Sequence, residues 1–555
     1  MTCNGRSSLE NGCLAAAAVL IVAGLAGCSS HPSRDREPVR IGSVKQLFID
    51  DHIVETMSSV SRVLNRPVKH PGGPVLRPER KWEGNFAAVS SVIYDPQDAL
   101  FKMWYVPSLI TAERPPGPLE EYESLLRASN YQEQLDLSCY AVSRDGVRWE
   151  RPELGLVEFE GSTRNNIISD RSVRSEGGLY NSGRAPNAFR DHREQDPDRR
   201  YKALGYARAA NGKIGICLYF SPDGLAWNEY PGNPVMMGTG DTHTVLGWDP
   251  SRTKYVAYLR PGWKDYQEAV AAYESIPTEV RAASLPSHTL DQLAPAAGNR
   301  RIRTIGFSSS DDFVHWSPIE PALIPDSMDP ADLQFYGMPA LLYEGIYLGF
   351  PWVFRTNSLT MESHFAYSRA GREFLRLPDR GPFIPLGANG TWDDGCVYVR
   401  QPIVHDGTIW FFYLGVNWRH GVEDLLAEGE NAEAAVGLAT LPLDGFVSLD
   451  AGPNPGTVTT RPLIFEGSRL LVSFEDSQKG SAGVDHHSSL RVEVLNSQGE
   501  PLEGFGLEEM DPVTRTVAAQ PVSWAGSSDL SALAGQPVQL RFHLRNGKFY
   551  SFRFQ

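Results

Sequence analysis

Four carboxylic acids stand just before segments that read as the first strands of successive β-units: Glu83 in Trp82-Glu83-Gly84-Asn85-Phe86, Asp241 in Gly240-Asp241-Thr242-His243, Asp332 before Leu333 to Tyr336, and Asp393 in Trp392-Asp393-Asp394-Gly395. The remaining unit offers Arg184-Ala185-Pro186-Asn187 and no acid. First strands that converge on one axis would bring these acids to its mouth together with Trp82, Arg184, His243, Tyr336, Trp392 and Asp394. Such a ring suits cleavage of an acetal between sugars, because an oxocarbenium-like transition state needs one protonated carboxyl for the leaving oxygen and one ionised carboxylate opposite it. Like charges held close favour keeping one carboxyl protonated. The expected roles are Glu83 and Asp241 as the acid/base pair, Asp332 with Asp393 or Asp394 tuning them or holding hydroxyls, and Trp82 and Trp392 stacking on the sugar.

The elements that must position these residues announce themselves as a repeat. Ser143-Arg144-Asp145-Gly146-Val147-Arg148-Trp149 recurs at Ser221-Pro222-Asp223-Gly224-Leu225-Ala226-Trp227 and returns, with one extra residue, from Ser309-Ser310-Asp311-Asp312 to Trp316. Weaker copies stand at Ser368 to Phe374 and Leu443 to Phe446. Each follows an apolar run and precedes a Pro-containing segment, the pattern of strand, tight turn and strand. A second repeated element lies upstream, an Asp-Pro turn before an aromatic strand, as in Tyr94-Asp95-Pro96 before Phe101 to Tyr105, Asp196-Pro197 before Tyr201 to Tyr206, and Trp248-Asp249-Pro250 before Lys254 to Tyr258. The last two units use Glu344-Gly345 and Asp406-Gly407 instead. Five units with four strands apiece make an all-β, five-bladed β-propeller the expected fold over residues 46–455.

In that topology both kinds of turn fall on the face opposite the axial mouth, so Asp145, Asp223 and Asp311 are expected to hold their own turns rather than a ligand. Three long insertions, Thr111 to Gln134, Trp263 to Asn299 and His420 to Glu433, fall on the mouth side, where insertions shape access to a site; the second includes a short helical pattern from Asp265 to Ser275. After Ala451-Gly452-Pro453-Asn454-Pro455-Gly456 the chain alternates apolar and polar residues between Gly, Pro and Asn turns, which predicts a β-sandwich over 456–555.

The chain has 555 residues and a net charge of −15, so it exceeds one small core and is poorly matched to nucleic acid or to anionic lipid surfaces. Leu14 to Leu25 is an apolar run too short to span a bilayer comfortably, and Leu25-Ala26-Gly27-Cys28-Ser29-Ser30 follows it. That is the pattern of a bacterial lipoprotein signal over 1–27, with Cys28 as the acylated residue, 28–45 as a tether, and the cell envelope as the location, so that the membrane is met only through the lipid. Of six cysteines, Cys139, Cys217 and Cys396 remain in the body of the chain with no zinc-type spacing. Cys139 and Cys217 occupy the same register ahead of their Ser-x-Asp turns and read as small buried residues.

The repeat count, the Ser-x-Asp turns and the trailing β-module resemble the five-bladed glycosidases of glycoside hydrolase families 32, 43, 68 and 117. Leu47-Phe48-Ile49-Asp50-Asp51, Tyr94-Asp95-Pro96, Phe101 to Tyr105, and Leu540 to Leu544 with Tyr550 to Phe554 are similar to secreted family-32-like proteins. The resemblance implies a glycoside hydrolase acting on a poly- or oligosaccharide, with no required cofactor; the same acids could instead cap strand ends or hold an axial divalent cation, and the sequence leaves that open. The family-32 strings Asn-Asp-Pro-Asn-Gly, Arg-Asp-Pro and Glu-Cys do not occur at the first strands, so fructosidase activity is not implied. Those departures leave a non-catalytic, lipid-tethered glycan-binding protein as the alternative, and the turns that resemble Asp-boxes leave a sialidase as a third reading.

Overall fold

The computed structural model describes residues 37–108, 137–170, 187–209, 211–262, 271, 303–420, 432–477 and 488–555. The described residues are built from β-strands, with short 3-10 turns such as Lys81–Glu83 and Pro197–Arg199 between them. Antiparallel groups follow one another in chain order. The first contains Phe86–Asp95, Leu100–Ser108, Leu137–Ser143 and Ile167–Asp170, and the second contains Asn187–Arg190, Tyr201–Arg208, Ile214–Ser221 and Asn228–Glu229. Thr239–Asp249, Lys254–Pro261, Ile305–Ser310 and Glu320–Leu323 form the third.

The next group is interrupted along its length. Leu333–Gly337 pairs with Trp352–Arg355, while Ala340–Tyr343 pairs with Ile346–Gly349. Pro339 and Pro351 fall at the two breaks, where proline has no N–H to give a ladder. In the last group Cys396–Val399 and Ile403–His405 both pair with Thr408–Val416, which pairs with Ala434–Pro442, and Val68–Lys69 from the N-terminal side adds to the outer edge. Parallel contacts join Met361 to Cys396 and Ala434 to Phe86, so the last group is stitched both to its predecessor and to the first.

The Ser-x-Asp repeat is a self-contained turn. Asp145 Oδ1 accepts from the backbone N–H of Val147 and Arg148 at 2.9 and 2.8 Å, and Asp223 Oδ1 does the same for Leu225 and Ala226 at 2.8 and 3.0 Å. In the third copy the acid is Asp312, not Asp311: Asp312 Oδ1 accepts from Val314 and His315 at 2.9 and 2.8 Å, and the serine that supports it is Ser310. Counted from Ser310 this copy has the spacing of the other two, so the extra residue read in the sequence lies outside the turn. Asp311 is an exposed acid paired with Lys254 at 2.7 Å.

The strand-end aspartates have a different job; in the second group that acid is Asp191, whereas Asp196 of the Asp196-Pro197 turn caps its own turn by accepting from the Asp198 backbone N–H at 3.0 Å. Asp95, at the end of its strand, is buried and receives Lys102 Nζ at 2.8 Å from its own group, the Arg190 guanidinium, and Tyr201 Oη at 2.9 Å from the next group. Asp191 receives Lys202 and, at 2.5 Å, Tyr255 Oη; Asp249 receives Tyr347 Oη. An aspartate at a strand end thus ties each of these groups to its successor.

A second core forms from the remaining strands, although Leu47, Ile49, Leu64 and Val447 pack into the first. Val39–Gly42, Gln46–Leu47, Val54–Ser58 and Ser61–Leu64 pair respectively with Leu463–Phe465, Gly547–Phe554, Gly456–Thr460 and Val447–Ala451. Phe48 packs its ring 4.7 Å from Phe549, 5.9 Å from Phe552 and 6.5 Å from Phe542. Strand pairing therefore runs across the boundary expected at 455/456. Cys139, Cys217 and Cys396 are buried, whereas the signal segment with Cys28 and most of the three insertions lie outside the described residues.

Candidate functional site

Three of the four acids, Glu83, Asp332 and Asp393, are held by internal partners. Glu83 is fully buried, and its carboxylate accepts four hydrogen bonds: backbone N–H of Glu79 and Arg80 at 2.7 and 2.9 Å, Tyr105 Oη at 2.5 Å and Arg151 Nε at 2.7 Å. Trp82 joins the same network, its indole N–H donating to Asn166 at 2.8 Å while Asn166 donates to Tyr105 Oη at 2.6 Å. A carboxylate with its lone pairs filled by internal donors fixes the entry into Phe86–Asp95. Asp332 is likewise clamped by both ends of the Arg355 guanidinium, at 3.0 and 2.7 Å. Asp393 takes Lys69 Nζ at 2.6 Å and Tyr413 Oη at 3.1 Å, with its side chain 5 % exposed, and the half-buried Trp392 stacks on Tyr413 at 5.7 Å. Asp394 accepts from the Gly390 backbone N–H at 2.6 Å. Beyond Asp332, Glu362 is pushed above the usual carboxyl range, burial outweighing a backbone hydrogen bond and the nearby Arg355 and Lys69.

His243 is buried with its ring nitrogens 3.1 and 2.9 Å from the carbonyls of Asp241 and Leu204, and burial holds it below the ordinary histidine range. It supports the strand instead of reaching a ligand. Arg184 lies outside the described residues.

Asp241 and Tyr336 do come together. Asp241, near the start of Thr239–Asp249, keeps 40 % of its side chain exposed and pairs with the Arg260 guanidinium. Arg260 lies 4.7 Å from the Tyr336 ring, and Arg303 lies 5.3 Å from the same ring and 5.3 Å from Phe354. The His420 ring meets Tyr336 edge-on at 4.8 Å and Phe354 at 5.1 Å, with its Nδ1 3.1 Å from Tyr398 Oη. Burial, reinforced by Arg303 and Arg260, lowers His420 to about 4, so the imidazole is neutral at neutral pH. Burial and the Asp241 charge push the Tyr336 phenol up, so it stays protonated.

The cluster continues inward. Tyr398 and Arg400, two residues apart on one strand edge, both pack on the Trp352 indole, at 5.4 and 5.0 Å. Arg400 then lines a cavity shared with Ser91, Asn187, Thr244, Pro339 and Gln401, residues drawn from several of the strand groups. Among the described residues no group of three or more His, Cys, Asp and Glu could hold a metal ion.

Arg260, Arg303, Tyr398, Arg400 and His420 escape a search for acids before first strands, because they sit at other strand ends. A signal was present for three of them. Arg260 stands three residues before the insertion that begins at Trp263, Arg303 four residues after its end at Asn299, and His420 opens the next, so polar residues flanking the insertions were the available signal.

No protein-family model matches the chain, and no curated protein matches it. Among solved structures the chain is similar to a glycoside hydrolase at 13% identity, over 68% of this chain and 92% of that one, with a TM-score of 0.42. It is also similar to a GH43 β-xylosidase/α-arabinofuranosidase from a compost microbial metagenome in complex with xylotriose, at 13% identity over 70% of this chain and 98% of that one, TM-score 0.38. A third similarity is to a fructofuranosidase from Schwanniomyces occidentalis complexed with fructosylnystose, at 10% identity over 86% of this chain and 96% of that one, TM-score 0.39.

Proposed function

We propose that the protein is a glycoside hydrolase, a five-bladed β-propeller with a C-terminal β-sandwich, held in the bacterial cell envelope through an acylated Cys28 and acting on a poly- or oligosaccharide. In this reading residues 39–64 belong with the sandwich, and the strand groups from Phe86 to Pro442 are the blades. One observation carries the site: Asp241 is an accessible carboxylate set against a protonated phenol, a neutral imidazole and two guanidinium groups, beside a cavity framed by the first strands. Asp241 supplies the negative charge that an oxocarbenium-like transition state requires. The second proton-transfer group is drawn from Tyr336 and His420, while Phe354 and the Tyr336 ring offer apolar faces to a sugar. Glu83, Asp332 and Asp393 enter this reading as structural carboxylates.

Release of reducing sugar from furanoside and anhydrogalactoside oligomers tests it. Asp241→Asn should lower turnover at least about a hundredfold, the leverage of a positioned acid or base, while Glu83→Gln should lower stability and leave turnover per folded molecule near wild type. Retained oligosaccharide binding with no product from any substrate would replace hydrolysis with glycan binding alone.

A further inference from the structure

Arg400 lies over the Trp352 ring, 5.0 Å from its centroid, and has no carboxylate partner among the described residues. Among the residues that line the central cavity it is the one charged side chain, its Nε is buried without a hydrogen bond, and no carboxylate among the described residues lies within ion-pair distance of it. Its polar neighbours are already engaged: Gln401 donates to the Leu246 carbonyl at 3.0 Å, Asn187 to the His243 carbonyl at 3.2 Å and Thr244 to the Met338 carbonyl at 2.6 Å. Burial draws the guanidinium down to about 10, so it is still a cation at neutral pH. A half-buried guanidinium whose Nε is enclosed without a hydrogen bond, and which has no counter-charge among the described residues, is costly and calls for an explanation such as a missing ion or ligand.

The mouth repeats the imbalance. Arg260 Nη1 is also buried without a hydrogen-bond partner although Asp241 holds the other end of the guanidinium, and among the described residues Arg303 donates to the neutral Gln334 Oε1, at 2.8 Å. Arg260 and Arg303 thus lie against the Tyr336 ring and Arg400 against Trp352, with Asp241 the one carboxylate paired to any of the three among the described residues. A planar fork of donors matches the oxygens of a carboxylate or a sulfate better than it matches a neutral hydroxyl.

We propose that the glycan taken at the Asp241–Tyr336 mouth carries an anionic substituent, a carboxylate or a sulfate ester, and that Arg400 receives it with Arg260 and Arg303 lining the approach. This rests on the reading of that mouth as a sugar site.

Calorimetric titration of the full chain with glucuronate, galacturonate, galactose 6-sulfate, glucose and galactose tests it. A uronate or the sulfated sugar should bind at least about tenfold more tightly than its neutral counterpart, a difference of about 1.4 kcal/mol, and Arg400→Gln should reduce that preference to within about twofold. Uronate preference assigns a carboxylate, and preference for the sulfated sugar assigns a sulfate. Arg400→Lys, which keeps the charge and loses the fork, should retain a weakened preference, and it serves if the glutamine variant does not fold. Equal binding of charged and neutral sugars by the wild type, or a preference that survives Arg400→Gln, overturns the proposal. Hydrolysis of neutral oligomers without anionic preference overturns this inference and leaves the hydrolase reading standing. Anionic preference without turnover does the reverse, and failure to bind any of the sugars overturns both.

Discussion

The Tyr201 hydroxyl donates to the Asp95 carboxylate at 2.9 Å across the seam between two successive strand groups. Lys102 and Arg190 meet the same carboxylate, so the seam is closed by a buried acid with two cations and a phenol around it. Tyr201→Phe removes one neutral donor and leaves the charges paired, which should cost about 1 kcal/mol. Asp95→Asn leaves Arg190 facing a neutral amide and Lys102 with only its more exposed pair to Asp98, and should cost about 3 kcal/mol or more. Urea denaturation of the three proteins checks the order, and a Tyr201→Phe loss as large as that of Asp95→Asn would contradict the assignment of charge as the dominant element.

The same carboxyl sets an acid limit. Burial acts to raise Asp95, and the hydrogen bonds from Lys102, Tyr201 and the Gln97 backbone overcome it, leaving the folded-state value at about 2 against 3.8 unfolded. A depressed carboxyl stabilises the fold above the unfolded value and loses that contribution as pH falls through the folded one. Stability should therefore decline between about pH 4 and about pH 2, with a shallower decline in Asp95→Asn. Chemical denaturation midpoints across that range give the comparison.

The strand order and the turns were legible because their residues repeat. Asp145 and Asp223 need a hydroxyl two positions before and backbone N–H groups two and three positions after, and the sequence displays that spacing. Tyr201, Tyr255 and Tyr347 were visible as parts of aromatic strands, but nothing local says that each phenol reaches the strand-end acid of the preceding group, since the partners lie on separate turns of the chain. The pairing of Gln46–Leu47 with Gly547–Phe554 was hidden for the same reason: alternation predicts a strand and not its distant neighbour. At the site, position before a first strand was a poor guide, because it does not distinguish a carboxylate aimed at solvent, such as Asp241, from one aimed into its own support, such as Glu83.

Register in the third Ser-x-Asp turn gives a direct test. Asp312 accepts the two backbone hydrogen bonds of the turn and contacts His315 Nδ1 at 2.7 Å, whereas Asp311 reaches outward to Lys254. Asp312→Ala should cost about 1 kcal/mol or somewhat more, since the stranded donors lie in one tight turn. An exposed pair of the Asp311 kind is worth about 0 to 1 kcal/mol, so Asp311→Ala should be close to neutral. Thermal melts of both variants decide it, and the opposite order would restore the longer spacing read from Ser309.

Gly337 is where packing and the proposed site depend on the same atom. It follows Tyr336 at an irregularity in the pairing of Leu333–Gly337 with Trp352–Arg355, and a Cβ there would lie 2.5 Å from Thr242 Cγ2 and 2.7 Å from the Trp352 indole. Thr242 adjoins Asp241, and Trp352 carries Tyr398 and Arg400, so an added methyl would wedge apart the two walls of the mouth. Overpacking of this kind costs about 1–3 kcal/mol. Gly547→Ala makes a comparable clash, 2.2 Å from Phe474, in the other core and away from the mouth. Both variants should melt lower than wild type, but only Gly337→Ala should weaken sugar binding per folded molecule, by about tenfold if the displacement costs 1.4 kcal/mol of contact energy. Calorimetric titration beside a thermal melt separates the two effects. Binding that stays at the wild-type level in a folded Gly337→Ala protein would mean that the wall joining Thr242 to Trp352 does not shape the ligand site.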